Sequence, residues 1–322
     1  MTKKVSWREG TSPLFWVTSA ILVVVIGITL FGPLFTADPY AQSLNHRLLP
    51  PLSEGHLLCT DALGRDLASR LIHGGRISLT VALLGMIGSM AIGIIAGLFA
   101  SSPIRAVRWA VERLIDVQMA LPYVILAIVI VSATGASLGV LVVLMILAGW
   151  ASAARVIRSV AIAERAKYYV RAAELIGARG PRVLFRYIGP TVLPVVLTVA
   201  PLQASAMIVM ESTLSFLGLG IQPPTPSWGG ILLEGKPYLD EAWWLTTLPG
   251  VAIAVTSAAL LGLGTALELM LRARQRRRVM DLDAAPSAGT DDTVTSRVLS
   301  AREVARGRAE DGPTPRKTGA VR

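Results

Sequence analysis

A chain of 322 residues that is 53% hydrophobic, 16% charged and +10 at neutral pH is too apolar for a soluble domain, in which about 25% of residues are charged. Its single cysteine, Cys59, excludes an intrachain disulfide and a cysteine-based metal cluster, and His46, His56 and His73 show no metal-ligand spacing, so no metal and no cofactor are expected. The basic surplus lies between apolar runs and in the tail, which reads as membrane topology and not as a nucleic-acid surface.

About 20 mostly apolar residues suffice to cross a bilayer. Six such runs occur: 14–35, 77–100, 114–133, 136–152, 191–219 and 245–271. The first follows Lys3, Lys4 and Arg8 as a signal peptide would. Its apolar core is longer than the about 7–15 residues of a leader, and it is read as an uncleaved span. Charge then sorts the connections. One side receives residues 1–13, the 101–113 loop with Arg105, Arg108 and Arg113, a 153–190 loop rich in arginine, and the basic run from Arg272 to Arg278. The other side receives 36–76, an uncharged turn at 133–136, and 220–244 with Lys236 as its one basic residue. The positive-inside rule places both termini in the cytoplasm. The expected division is a cytoplasmic 1–13, a first span 14–35, an extracytoplasmic 36–76, a five-helix core 77–271 with a cytoplasmic loop 153–190, and a basic, then disordered, cytoplasmic tail 272–322. Residues beyond about 279 have too little apolar content to order themselves.

Span two carries Gly85, Ser89, Gly93 and Gly97; span six carries Gly250, Ala254, Ala258, Gly262 and Ala266. Small residues spaced by four let helix backbones approach closely in lipid, either within the chain or against a second subunit. Acids near the spans are Asp116, Glu211 and Glu268. An acid at membrane depth is a functional candidate. Asp116 and Glu268 lie near span ends, where water reaches. Glu211 either pairs with a neighbouring helix or faces a pathway.

The 171–195 stretch, RAAELIGARGPRVLFRYIGPTVLPV, interrupts this pattern. A helix over 165–177 presents small Ala172 and Ala173 beside Arg171 and Glu174. Gly177 suits a left-handed C′ position, and Gly180–Pro181 ends the helix. A second helix after Pro181 carries an apolar stripe of Val183, Leu184, Tyr187 and Ile188, with Arg182 and Arg186 on another face. Pro190 and Pro194 mark the run into span five. The expected product is a helix–turn–helix elbow, which either docks something soluble or lies on anionic lipid. The outer stretch QPPTPSWGG is expected to be extended, with Pro223, Pro224 and Pro226 fixing φ. Trp228, Trp243 and Trp244 suit an interface belt. The loop then shapes a pathway mouth, meets a soluble protein, or caps spans five and six.

The elbow resembles the cytoplasmic "EAA" loop of ABC-importer permeases, and Ala172, Ala173, Gly177 and Pro190 match its pattern. Arg171 stands where that loop has an acid, with Glu174 three residues later. Two further stretches are similar to the dipeptide, oligopeptide and nickel permeases: CTDALGRDLASRLIHGGRISL, with Asp61, Gly64, Arg65 and Asp66, and ESTLSFLGLGIQPPTPSWGGIL. Cys59 sits where that family usually has glycine. The resemblance covers about residues 1–270 and is to the second-permease, DppC/OppC-like type. It implies an all-α membrane protein of six transmembrane helices with the type I importer permease (MetI-like) fold. It also implies a sister permease, two ATP-binding subunits docked on the elbow, an extracytoplasmic substrate-binding protein, surrounding membrane lipid, and a peptide cargo, with nickel or another small solute as the alternative. The chain contains no G-x-x-x-x-G-K-[ST] stretch, so ATP hydrolysis is expected on separate subunits. An integral membrane enzyme needs catalytic groups at one depth, and a self-sufficient secondary transporter favours inverted repeats, broken helices and intramembrane charges; none of these is found in the sequence.

Overall fold

A computed structural model describes residues 13–51, 53, 58–178 and 180–284. Lys3, Lys4, Arg8, Glu54, His56, Arg179 and the tail beyond 284 lie outside the described residues, as do the side chains of Arg274, Arg276, Arg277 and Arg278. The chain divides into a unit of 1–271 and a second unit of 272–322; the architecture below is that of the first.

The described chain contains α1 (Pro13–Phe31), α2 (Leu67–Ala100), α3 (Arg105–Ala120), α4 (Tyr123–Thr134), α5 (Leu138–Arg165), α6 (Tyr168–Leu175), α7 (Gly180–Arg182), a π-helical stretch Val183–Ile188, α8 (Gly189–Phe216), α9 (Trp228–Gly235) and α10 (Trp244–Ala284). Five helical segments are long and apolar enough to cross a membrane, and six if the bent pair α3–α4 counts as one. The fold class is all-α and multi-pass, as the sequence predicts.

Helices α2 and α5 form the centre. A Cβ on Gly93 would lie 2.5 Å from the Cβ of Ala153, and one on Gly97 would lie 2.7 Å from the carbonyl oxygen of Ala154. The first small-residue ladder is therefore the seam between two helices of one chain. Gln203 of α8 joins them, with Nε2 donating to Ser89 Oγ at 2.8 Å and to the Gly149 carbonyl at 3.1 Å. The second ladder is divided. Gly262 takes the side chain of Thr18 from α1, and Ala266 is buried. Gly250 has nothing within 4 Å of a built Cβ, and Ala254 and Ala258 are exposed.

Four expectations need correction. The run 114–133 is not one helix: it breaks at Leu121–Pro122 with an 84° bend. Pro122 donates no hydrogen bond and forces its predecessor out of the helical region, and Leu121 has ψ of 123°. The 12-residue α4 is about 18 Å long, short of an about 30 Å hydrocarbon core. Several helices also outrun their spans: α2 begins ten residues before 77, and α5 runs to Arg165, through the first third of the expected loop. Span five also starts inside the expected loop, because Gly180–Phe216 is one 37-residue helical span with Pro190 and Pro194 within it. The π turn before Pro190 absorbs its missing donor, with Gly189 N–H bonding the Leu184 carbonyl. Finally, α10 continues to Ala284 through the basic run, since Arg, Gln, Met and Leu are good helix formers and no Pro or Gly occurs between Arg272 and Pro286.

Candidate functional site

The two ends of the bundle carry different chemistry. At one end α5 stops at Arg165 and α6 projects as the elbow. The elbow's inner face is fixed: Val170 is buried in a cluster with Leu98, Ile157, Ala161, Val183, Leu184 and Ile188, and Ala173 is also buried. Its termination is a Schellman motif. Ala178 N–H bonds the Ala173 carbonyl at 3.0 Å, Gly177 N–H bonds the Glu174 carbonyl at 3.1 Å, and Gly177 has φ of +93°. Glu174 Oε1 accepts from Arg165 Nη2 at 2.7 Å, and Arg165 Nη1 donates to the Ser101 carbonyl at 3.1 Å. The elbow is thereby tied to the α2–α3 loop. Arg171 and Ala172 are exposed, and Pro190 is exposed at the start of α8. Of the predicted stripe, Val183, Leu184 and Ile188 are buried and Tyr187 is half-buried.

The outer face of the elbow is what sequence reasoning missed. Tyr168 and Leu175 are each 90% exposed, and Ile176 is 86% exposed. Three large apolar side chains stand out from an eight-residue helix and its cap while Val170 and Ala173 of the same helix are buried. The available signal was that a helix of this length has no second face to bury them on.

At the opposite end, residues 59–70 fold into a compact turn. Asp61 Oδ1 accepts the backbone N–H groups of Leu63 and Arg65 at 2.8 and 2.9 Å. Gly64 has φ of +71°, and a Cβ there would lie 1.8 Å from the Ser43 carbonyl oxygen, so only glycine fits. Asp66 caps α2 by accepting from Ser69 N–H at 2.8 Å. The acid–base pairs of the motif converge: Arg65 Nε and Arg70 Nη1 both donate to Asp61 Oδ2 at 2.6 Å. Both arginines also reach Glu234 of α9, at 2.6–2.9 Å. Arg70 is 1% exposed. Two buried guanidiniums between two carboxylates neutralise one another, the condition under which charges persist in an interior. Arg70 and Glu234 complete the cluster and were not singled out from the sequence. Burial, with Asp66 nearby as a lesser cause, pushes the neighbouring Cys59 thiol from 9.0 up to about 12.

Pro223 and Pro224 are exposed, whereas Pro226 and Trp228 are buried. The interface-belt reading fails for two of the three tryptophans. Trp228 is 3% exposed, and its Nε1 donates to the Leu71 carbonyl at 2.9 Å; Trp244 is 7% exposed. The indole fits because Gly75 leaves room on α2, where a Cβ would lie 2.7 Å from the ring. Ser227 caps α9, and Gly229 rests on the Ser212 carbonyl of α8. The loop thus wedges α9 against α2 and α8, not over spans five and six alone.

Glu211 is fully buried in α8 and accepts from Ser215 Oγ at 2.8 Å. Asp116 is half exposed, 3.6 Å from Arg113 and 3.8 Å from Arg155, a distance and exposure at which ion pairs contribute little. A cleft of about 400 Å³ opens between α1, α2, α8 and α10, lined by side chains such as Leu22, Leu79, Ile208 and Leu260, with Thr29, Arg76, Thr80 and Thr256 as polar members.

Long apolar helices, an exposed elbow at one end and a charged turn at the other define a membrane transport subunit. The chain belongs to the family described as "Binding-protein-dependent transport system inner membrane component", which matches residues 89–278. Members are membrane permeases of ABC transporters; hydrolysis lies on separate subunits, and the permease is not itself an enzyme. The chain is 37% identical over 253 residues to the di/tripeptide transport system permease protein DppC of Pseudomonas aeruginosa (strain UCBPP-PA14), covering 76% of this chain and 83% of the relative. It is 35% identical over 266 residues to the probable peptide ABC transporter permease protein y4tQ of Sinorhizobium fredii, covering 83% and 91%. It is 33% identical over 260 residues to the probable D,D-dipeptide transport system permease protein DdpC of Escherichia coli (strain K12), covering 79% and 85%.

Proposed function

We propose that this chain is the second permease of a peptide importer of the inner membrane, with both termini cytoplasmic. It forms the pathway with a sister permease and is driven through its elbow by two ATP-binding subunits. An extracytoplasmic binding protein delivers the cargo. The observation that carries the reading is the elbow's build: a buried, Schellman-capped inner face holding Tyr168, Leu175 and Ile176 out into solvent. Exposed apolar side chains on a rigid mount are the anchors of a protein interface. The peptide cargo, in preference to nickel, is supported by the names of the relatives.

The mechanism follows from connectivity. The elbow helix α6 ends at Leu175, five positions before the start of the 37-residue rod Gly180–Phe216. Such a rod is about 55 Å long and transmits a displacement at Gly180 to its far end. There Ser212 and Ser215 abut Gly229 of α9, and Glu234 of α9 grips Arg65 and Arg70 at the start of α2. Closure of the ATP-binding subunits pulls the elbow, and the rod rocks α8 against α2 between two states of different ATPase contact. In this reading Arg171, Ala172, Glu174 and Gly177 lie at the docking surface, Ala173 and Pro190 support it, Asp116 is a surface acid, and Glu211 is a structural anchor.

Reconstitution tests this. The chain, its sister permease, the two ATP-binding subunits and the binding protein are placed in proteoliposomes, and uptake of a labelled di- or tripeptide is followed. Uptake that requires ATP and all components is expected. Uptake by this chain alone, or none with any short peptide, would overturn the reading.

A further inference from the structure

A cavity of about 230 Å³ lies beside the elbow, lined by Ser101, Ser102 and Pro103 of the α2–α3 loop, Arg108 of α3, and Arg158, Ile162 and Arg165 of α5. Three guanidiniums line it and no acid does. Arg158 and Arg165 each pair with one acid that does not line the cavity, Glu112 and Glu174. Arg158 Nε is buried without a hydrogen-bond partner. Arg108 makes no ion pair among the described residues. Ser102, 4% exposed, accepts from Ile104 N–H at 3.3 Å, which leaves its own proton to donate. The 16-residue α3 starts at this point with no side-chain cap, so its first N–H groups add donors and positive potential. Arginine forks, a hydroxyl and a helix N-terminus are together the chemistry of a phosphate site.

The rim decides where that phosphate comes from. Ile162, in the lining, is 46% exposed, and Ile104 and Trp109, next in sequence to the lining residues Pro103 and Arg108, are 58% and 62% exposed. Along the rest of α3, Leu114, Val117 and Met119 are also exposed. An apolar rim around a basic pocket at the end of membrane-spanning helices fits a lipid, headgroup inside and chains outside. We propose that this pocket binds the phosphate headgroup of an anionic phospholipid, with Arg108 as its unshared cation. Arg165 then serves the headgroup and Glu174 together, which sets the lipid against the base of the elbow.

The test is native mass spectrometry of the full-length chain, purified with its partner subunits in mild detergent and titrated with phosphatidylglycerol or phosphatidylcholine. Binding is read without transport, so a failed transport assay leaves the outcome untouched. The wild type is expected to retain phosphatidylglycerol in preference to phosphatidylcholine. Arg108→Gln should retain roughly fivefold less, from the loss of about 1 kcal/mol per basic residue at a membrane surface, and Arg108→Lys an intermediate amount. Arg155→Gln, outside the pocket, should match the wild type and also controls for folding. Excess inorganic phosphate should not displace the lipid. Equal retention in Arg108→Gln, no preference between the two lipids, or displacement by phosphate would each overturn the proposal.

Discussion

Arg70 and Glu234, 164 positions apart, form a two-pronged ion pair: Nη1 to Oε2 at 2.7 Å and Nη2 to Oε1 at 2.9 Å. One partner lies in the first turn of α2 and the other near the end of α9, so the pair closes the end of the bundle opposite the elbow. Arg70 is almost fully enclosed, while the Glu234 side chain is 30% exposed.

Removing one member of such a pair leaves the other charge uncompensated, at a cost of about 3–5 kcal/mol when both are buried. Glu234→Gln should fall at the low end because water reaches the carboxylate. Arg70→Met should cost more, since Asp61 also loses a donor. Thermal unfolding of the purified complex would check this; melting temperatures equal to wild type in both variants would show the pair to be incidental. The pair also bears on the proposed rocking. If the outer end must stay closed, Arg70→Met should uncouple hydrolysis from peptide uptake before it abolishes either.

Gly177 holds a φ of +93°, yet a Cβ there meets nothing within 4 Å. Its requirement is conformational and not steric. A β-branched residue in the left-handed region costs about 1–2 kcal/mol, enough to move the cap but not to unfold a membrane bundle. Gly177→Val should leave insertion and yield intact and reduce pull-down of the ATP-binding subunits several-fold. Gly177→Asn, tolerated at this position in helix caps, should lie near wild type. Normal pull-down and uptake by Gly177→Val would remove the elbow from the docking surface. Arg171→Glu, which restores the acid of the resembled loop at an exposed position, should leave docking intact or strengthen it.

How far the chain could be read from its sequence differs by element. Helices α1, α2, α5 and α8 announce themselves because lipid demands long apolar runs, and hydropathy measures that demand directly. Gly177 was legible because a helix end followed by small residues has few solutions. Gly64, Arg65 and Asp66 were reached only through resemblance. Glu234 and Gln203 were not legible: each acts on a partner more than 100 positions away in sequence, and no local pattern marks them. Pro122 was visible but outweighed by the hydropathy around it, which records burial in lipid and says nothing of a missing backbone donor.

The two small-residue ladders look alike in sequence and differ in the fold. A side chain at Gly93 collides with Ala153, whereas one at Gly250 enters open space. Gly93→Leu should separate α2 from α5 and lower the yield of assembled protein sharply. Gly250→Ala should be neutral in the isolated chain, or stabilise it by up to about 1 kcal/mol through helix propensity. Detergent-resistant yield and melting temperature distinguish the two. A loss of sister-permease binding in Gly250→Leu, with the chain itself still folded, would assign the open half of that ladder to the subunit interface.

Cys59 offers a probe of the outer turn. The thiol is fully buried beside Leu67 and Ile231, and burial raises its pKa from 9.0 to about 12. The reactive form is the thiolate, so at pH 7–9 maleimide should not label the folded chain, while denatured chain should label fully. Because the folded pKa lies above the unfolded one, the neutral thiol costs nothing below pH 9. Between pH 9 and 12 the unfolded state ionises first, and stability should fall as pH rises. Cys59→Ser removes that fall; Glu234→Gln, by loosening the turn, should expose the thiol and accelerate labelling. Rapid labelling of the native wild type at pH 7 would mean that the turn around Asp61 is open in the membrane, and the closed outer end would have to be abandoned.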